Sequence, residues 1–237
     1  GLWDYVKNFN PKTREANVKR ELAWMNYVPG TRESRRLIGD YVMTEAEYSD
    51  RIVHEDTAAY TGWGADIHHP EGFWVSGNDC IHYYRDRKAS VPFRTLYSRN
   101  IENLMMAGRC HSATHIAMGG TRIMRTCCEM GHATGVAAGL MKRYGVSPRG
   151  IYKEHVAELQ QLLVKEGAYL IGIPNRDPAD LALKAKVSAS SFMRDEKKGI
   201  VLGPENVNNG WSRAVGTVRN AWAPDPKEEL PQWVQLD

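Results

Sequence analysis

No apolar run in this chain approaches the ~20 residues that a membrane-spanning helix needs, so no membrane partner is expected. Charge of one sign is also lacking. The chain has 31 Lys and Arg against 28 Asp and Glu, and the resulting +3 is spread out, so no nucleic-acid partner is implied. The densest basic cluster, Arg32, Arg35 and Arg36, sits beside Glu33 and Asp40. Cysteine is scarce. Of the four (Cys80, Cys110, Cys127, Cys128) two are adjacent and none forms a CxxC pair. That spacing supports neither a disulfide framework nor a zinc site, so no metal is expected and the cysteines read as small buried hydrophobes. The redox compartment stays open. A G-x-G-x-x-G turn is absent throughout; the nearest glycine clusters are Gly62 with Gly64, and Gly119 with Gly120. What is present suffices for a core. The chain has 237 residues, 42% of them hydrophobic, in the range of one large domain or one domain plus part of another.

Along the chain, residues 1–25 read as partly helical, with Val18, Leu22 and Met25 on one face. Pro29 and Gly30 mark a turn. Residues 37–43 read as a strand weakened at Gly39, and Thr44 with Glu47 fits a capping box opening a short helix over 44–55. CIHYY and VPFRTLY carry the β-branched and aromatic residues of strands. ENLMMAG reads as a buried strand ending in glycine. A long helix of about 24 residues follows, with Thr121 as N-cap, Lys142 and Arg143 in its last turn, and Gly145 as its left-handed stop. Residues 152–165 form a second helix with Val156, Leu159, Leu162 and Leu163 on one face. Beyond Leu170 the texture becomes polar and irregular, and PQWVQLD alternates like a strand.

The densest chemistry lies at 107–139, AGRCHSATHIAMGGTRIMRTCCEMGHATGVAAG. It holds six glycines, three histidines and three arginines, too polar for ordinary core and too apolar for a solvated loop. A strand delivering Gly108 and Arg109 to its C-terminal end places them where α/β sheets bind ligands. Gly119 and Gly120 would let the backbone approach a ligand closely. The N–H groups of Thr121, Arg122 and Ile123 would form the positive end of the long helix, suited to an anion. Gly131, Gly135 and Gly139 recur every four residues and read as a smooth packing stripe.

This stretch resembles the C-terminal flavin-contacting segment of FAD-dependent oxidoreductases, which share the broad fold of the fumarate reductase and succinate dehydrogenase flavoproteins. The pattern runs AGR-x-x-S-A-T-H, then G-x-x-R-x-M-x-T-C, then G-x-A-x-G-x-A-A. Upstream, VPGTRESRRLIGDYVMT and VPFRTLYSRNIENLMMAGR extend the likeness over about residues 24–170. The resemblance implies FAD as cofactor, with Gly108, Arg109 and Ser112 near the ribityl chain and ring. It implies Gly120, Thr121, Arg122 and Ile123 at the pyrimidine edge of the isoalloxazine, where reduced flavin carries negative charge. Hydride transfer needs a group that takes or gives the substrate's hydroxyl proton. His115 is the first candidate and His68 the second. Arg32, Arg36 and Arg125, with Asp66 and His69, complete the substrate side. Because the pyrophosphate turn G-x-G-x-x-G is missing, the chain is expected to be the C-terminal portion of a larger flavoprotein and, alone, to hold FAD weakly or not at all.

The expected fold is α/β, with mixed α+β character. Residues 1–105 would belong to a substrate or cap domain, 106–170 to the C-terminal strand and helices of the FAD-binding domain, and 171–186 to a linker. Residues 187–237 resemble the opening half of a discoidin-like, galactose-binding β-sandwich on SASS, NVNNG, NAW and PQWVQLD. Such a half-sandwich exposes strand edges and should be poorly ordered unless it packs otherwise. Three functions stay open. The first is oxidoreduction of a small-molecule, carbohydrate-derived substrate through flavin. The second is non-catalytic carbohydrate binding on a degenerate flavoprotein scaffold. The third is polysaccharide lyase-like chemistry. Co-purifying flavin, glycan binding without flavin, and unsaturated uronate products discriminate them in that order. A glycan-binding tail would place the protein outside the cytoplasm.

Overall fold

The computed structural model describes residues 1–28, 35–78, 80–85 and 87–237. The chain forms two compact units, Gly1–Ser34 and Arg35–Asp237. The first unit is helical at Leu2–Asp4, Tyr5–Phe9 and Arg14–Asn17. Val18, Leu22 and Met25, expected on one helical face, lie beyond those turns and are exposed.

The second unit mixes helices and short strands. Strand β1 (Thr57–Thr61) pairs antiparallel with β4 (Ala89–Pro92), and β2 (Ala65–His68) with β3 (Cys80–Tyr83). The β1–β4 ribbon is the buried one, in keeping with its small and β-branched residues (TAAYT, ASVP). Four helices matter here: α1 (Ala46–Ser49), α2 (His115–Thr121), α3 (Met124–Tyr144) and α4 (Val156–Lys165). Helix α3 lays Met130, Ala133, Ala137 and Leu140 into a core shared with Tyr48, Phe93, Leu96, Met118, Leu159 and Leu163. It ends at Gly145, whose φ of 66° is the left-handed stop that glycine adopts without Cβ strain.

Several expectations are revised. Residues 37–43 and ENLMMAG make single bridges, Gly39 to Ser98, Met43 to Ala113 and Tyr97 to Met105, not continuous strands. At Gly39 a Cβ would overlap the Arg94 carbonyl oxygen, so the segment is pressed against its neighbour at one point. VPFRTLY leaves its strand at Pro92 and turns through Phe93–Thr95. The capping pair is present, with the Thr44 amide donating to Glu47 Oε2 at 2.9 Å, but the helix it opens is only one turn. The glycine stripe at 131, 135 and 139 faces outward, since a Cβ added at any of the three would meet no described atom within 4 Å. None of the four cysteines is fully buried and no disulfide joins them; Cys127 packs half-buried against the core, and Cys128 is exposed.

The tail forms two separate ladders. Strand β5 (Val187–Ala189) pairs with β8 (Val234–Leu236), and β6 (Met193–Asp195) with β7 (Ile200–Leu202). The terminal PQWVQLD segment thus supplies a strand, as its alternation suggested. The NVNNG turn is held in place. The Asn208 amide donates to the Ala182 and Ala185 carbonyls, and the Asn175 N–H donates to the Gly210 carbonyl at 2.8 Å.

One ion pair organises the central ribbon. Asp56 is fully buried where the chain enters β1. Arg94 grips it with two guanidinium bonds of 2.9 Å, and the Arg94 amide donates to Oδ2 as well. Asp56→Asn removes the buried one of the two carboxylates paired with Arg94 and leaves only the more exposed Glu55 at 3.1 Å. It should lower unfolding stability by about 3 kcal/mol in a urea titration. An unchanged midpoint would show the pair to be dispensable.

Candidate functional site

The candidate site lies where three segments meet: the turn Gly108–Cys110, the junction between α2 and α3, and the β2–β3 hairpin. The turn is built on backbone bonds to the segment that follows β4. The Met106 N–H donates to the Leu96 carbonyl and the Ser112 N–H to the Thr95 carbonyl. Gly108 then turns with φ of 82°, a left-handed value that glycine tolerates. It lies beside α3, where a Cβ would make an ordinary van der Waals contact of 3.7 Å with the Cys127 Cβ.

The helix arrangement differs from the sequence expectation. Thr121 does not cap the long helix; it is the last residue of α2. Ile123, in extended conformation, is the N-cap of α3, and no side chain among the described residues caps that end. The Arg122 N–H donates back to the Met118 carbonyl, within α2. The first-turn N–H donors that lack helical partners therefore belong to residues 124–126. Gly119 and Gly120 lie inside α2 and approach protein. A Cβ at Gly119 would strike Ile67 at 2.5 Å, and one at Gly120 would overlap the Tyr48 hydroxyl. The double glycine thus lets α2 lie against the hairpin and Tyr48.

Arg122 ties the parts together. Its Nη2 donates to the Asp66 carbonyl at 3.0 Å and lies 3.6 Å from Asp66 Oδ2. Arg109 Nε donates to the Arg122 carbonyl at 3.3 Å. So Gly108, Arg109, Arg122 and Ile123 form one wall, continued by the exposed Met124 and Arg125. Arg125 is mostly exposed and pairs along the helix with Glu129 at 3.5 Å. Ser112 is fully buried behind the wall, and its Oγ has no hydrogen-bond partner among the described residues. Thr121 is buried too, its hydroxyl facing the Ala117 carbonyl at 3.2 Å. His115 stands exposed at the first position of α2, and His68 at the end of β2. Arg36 is half-buried, and Arg32 lies outside the described residues.

Sequence reasoning passed over His111. It is fully buried, and its Nδ1 donates to the Gly108 carbonyl at 2.8 Å, since a carbonyl only accepts. That fixes Nε2 as the unprotonated nitrogen, 3.3 Å from Thr121 Oγ1. His111 thereby joins the glycine turn to the end of α2. Burial, with some repulsion from Arg36, pushes its pKa down to about 4, so the ring is neutral near pH 7. Its position three residues after Gly108 was visible in the sequence; its burial was not.

Two further clusters support this region. Glu47, fully buried, accepts from the Tyr41 hydroxyl at 2.5 Å and meets His54 Nε2 at 3.1 Å. Burial and Glu47 together raise the Tyr41 pKa to about 12. Asp40 takes two bonds of 2.7 Å from Arg149 and one of 3.0 Å from the Tyr97 hydroxyl.

The residues present fit a flavin in part. The wall offers uncapped helix donors and a glycine turn, which suit the anionic edge of the ring. The pyrophosphate turn that FAD needs is absent from the sequence. A family model described as FAD dependent oxidoreductase matches residues 1–163. No curated protein and no solved structure matches the chain.

His111 makes stability depend on acid. An unfolded chain takes up a proton on this ring below its ordinary pKa of 6.5, whereas the fold excludes that proton down to about pH 4. Stability should therefore fall by about 3 kcal/mol as pH drops from 6.5 to 4. The His111→Asn variant should show a flatter profile over that window in urea titrations. An equal slope in both proteins would assign the acid sensitivity elsewhere.

Proposed function

The chain belongs to the FAD-dependent oxidoreductase family, and from that premise we propose that Gly108, Arg109, Arg122, Ile123 and the first turn of α3 form the flavin-facing wall of a small-molecule oxidoreductase. The observation that carries the reading is the seating of the Gly108 turn against an uncapped N-terminus of a 21-residue helix. Bound flavin supplies the hydride acceptor or donor. The chain's own residues do the rest. The N–H groups of residues 124–126 point donors at a developing negative charge, and the helix dipole adds to them. Arg122, held between Asp66 and Arg109, fixes the wall against the hairpin. His111, neutral and hydrogen-bonded to Gly108, holds the turn in place. Arg125 adds positive charge at the rim of the wall. His115, exposed at the start of α2, takes or returns the substrate's hydroxyl proton. A carbohydrate-derived substrate rests only on the likeness of the tail to a sugar-binding sandwich.

Because the wall addresses the ring and the pyrophosphate turn is absent, the chain should bind riboflavin about as well as FAD, and both weakly. Met124→Pro tests the donors directly. Proline is tolerated at the first helical position, the preceding Ile123 is already extended, and one N–H is removed. Loss of one hydrogen bond should weaken riboflavin binding roughly threefold to tenfold in a fluorescence titration. Unchanged affinity in Met124→Pro, or FAD binding far tighter than riboflavin, would refute the assignment.

A further inference from the structure

We propose that the loop end of the β2–β3 hairpin is a binding site for one borderline-soft divalent transition ion of the zinc type, with Asp66, His68 and Cys80 as protein ligands. The hairpin register creates the set. Cross-strand pairing places His68 opposite Cys80 and Asp66 opposite His82. Residues two apart on a strand share a face, so Asp66 and His68 project together from β2 toward the same side as Cys80. One ligand atom from each of Asp66, His68 and Cys80 lies within 4.8 Å of the others. Cys80 Sγ is 3.7 Å from His68 Nδ1. Tetrahedral zinc, with bonds of about 2.0–2.3 Å, spaces its ligand atoms roughly 3.3–3.6 Å apart. Small side-chain movements therefore close the site.

Electrostatics favour the same conclusion. Asp66 Oδ1 is buried and has no hydrogen-bond partner among the described residues, while Oδ2 faces Arg122. A buried carboxylate oxygen without a donor is costly, and a cation satisfies it. His82 Nδ1 lies 3.7 Å from Oδ1, beyond hydrogen-bond reach, so it leaves that oxygen open. A carboxylate and a thiolate would neutralise a divalent ion, with His68 as neutral third ligand and the fourth position left to water. Binding releases the Cys80 thiol proton. The mixed sulfur, nitrogen and oxygen set excludes the oxygen-seeking Mg²⁺ and Ca²⁺. The other compact cluster among the described residues, His54 with Glu55 and Asp56, is no rival, because Arg94 already holds both oxygens of Asp56.

A metal here would also tie the two strands together at their loop end. The hairpin is a two-stranded ladder whose β2 packs on α2 at Ile67 and Gly119, with Ile81 and Tyr83 exposed. An ion bridging His68 and Cys80 would pin the loop end, while Arg122 holds the hairpin to α2.

The test uses the full chain, stripped with a chelator and titrated with Co²⁺ and Zn²⁺. One equivalent of Co²⁺ should produce tetrahedral d–d absorption and a thiolate-to-cobalt charge-transfer band. Cys80→Ser should lose the charge-transfer band. In the unmutated chain, one equivalent of Zn²⁺ should slow alkylation of Cys80 by iodoacetamide at least tenfold and leave the exposed Cys128 reactive. Absence of the cobalt bands in the unmutated chain, a charge-transfer band that survives in Cys80→Ser, or Cys80 alkylation unaffected by zinc would each overturn the proposal.

Discussion

The buried Asp56 carboxylate and the Arg94 guanidinium that clasps it set the geometry on which the rest depends. The pair locks the entry to β1 against the exit from β4. The Arg94 carbonyl accepts the Tyr41 N–H and crowds Gly39. The next two carbonyls, of Thr95 and Leu96, accept from Ser112 and Met106 and so place the Gly108 turn. A charge pair with little solvent access is worth keeping in such a place because breaking one partner costs far more than an exposed pair does. Arg94 is further wedged beneath Tyr41 and Tyr152, its guanidinium 5.4 and 4.9 Å from their ring centres. The ribbon is therefore a firmly bonded support, and the candidate wall is built on it.

From that support the wall is assembled by backbone fit more than by charge. Gly108 meets Cys127, His111 bridges Gly108 and Thr121, and Arg122 reaches from the helix junction to Asp66. Each contact fixes where α3 begins. A helix start is a directional donor array, so a small displacement of the junction would re-aim it. The break at Arg122 and Ile123 separates two tasks within one glycine-rich stretch. Helix α2 packs on the hairpin and Tyr48, and α3 presents its uncapped end.

Much of this could be read from residue order, and the unreadable parts have physical reasons. The α3 stop at Gly145 and the buried Leu159 and Leu163 of α4 follow from local chemistry and helical period. The start of α3 did not follow, because Thr121 is the better cap by residue type, yet tertiary packing draws Gly119, Gly120 and Thr121 into α2 and leaves Ile123 at the helix start. The outward-facing glycines at 131, 135 and 139 have the same spacing as a packing stripe, and spacing alone does not say which face is covered. His111 and Asp56 act through burial, which depends on the whole fold. The cluster of Asp66, His68 and Cys80 arises from strand register across a hairpin, which no short spacing pattern encodes.

The Gly108 turn and the first turn of α3 are proposed to face a flavin ring together. Amide chemical-shift mapping of the ¹⁵N-labelled chain during riboflavin addition tests it most directly. The largest shifts should fall on Gly108, Arg109 and residues 124–126, with the tail from 187 onward unmoved. Shifts concentrated in the tail, or around the cleft of about 340 Å³ lined by Trp63, Gly64, His82 and Arg85, with the α3 start silent, would contradict it.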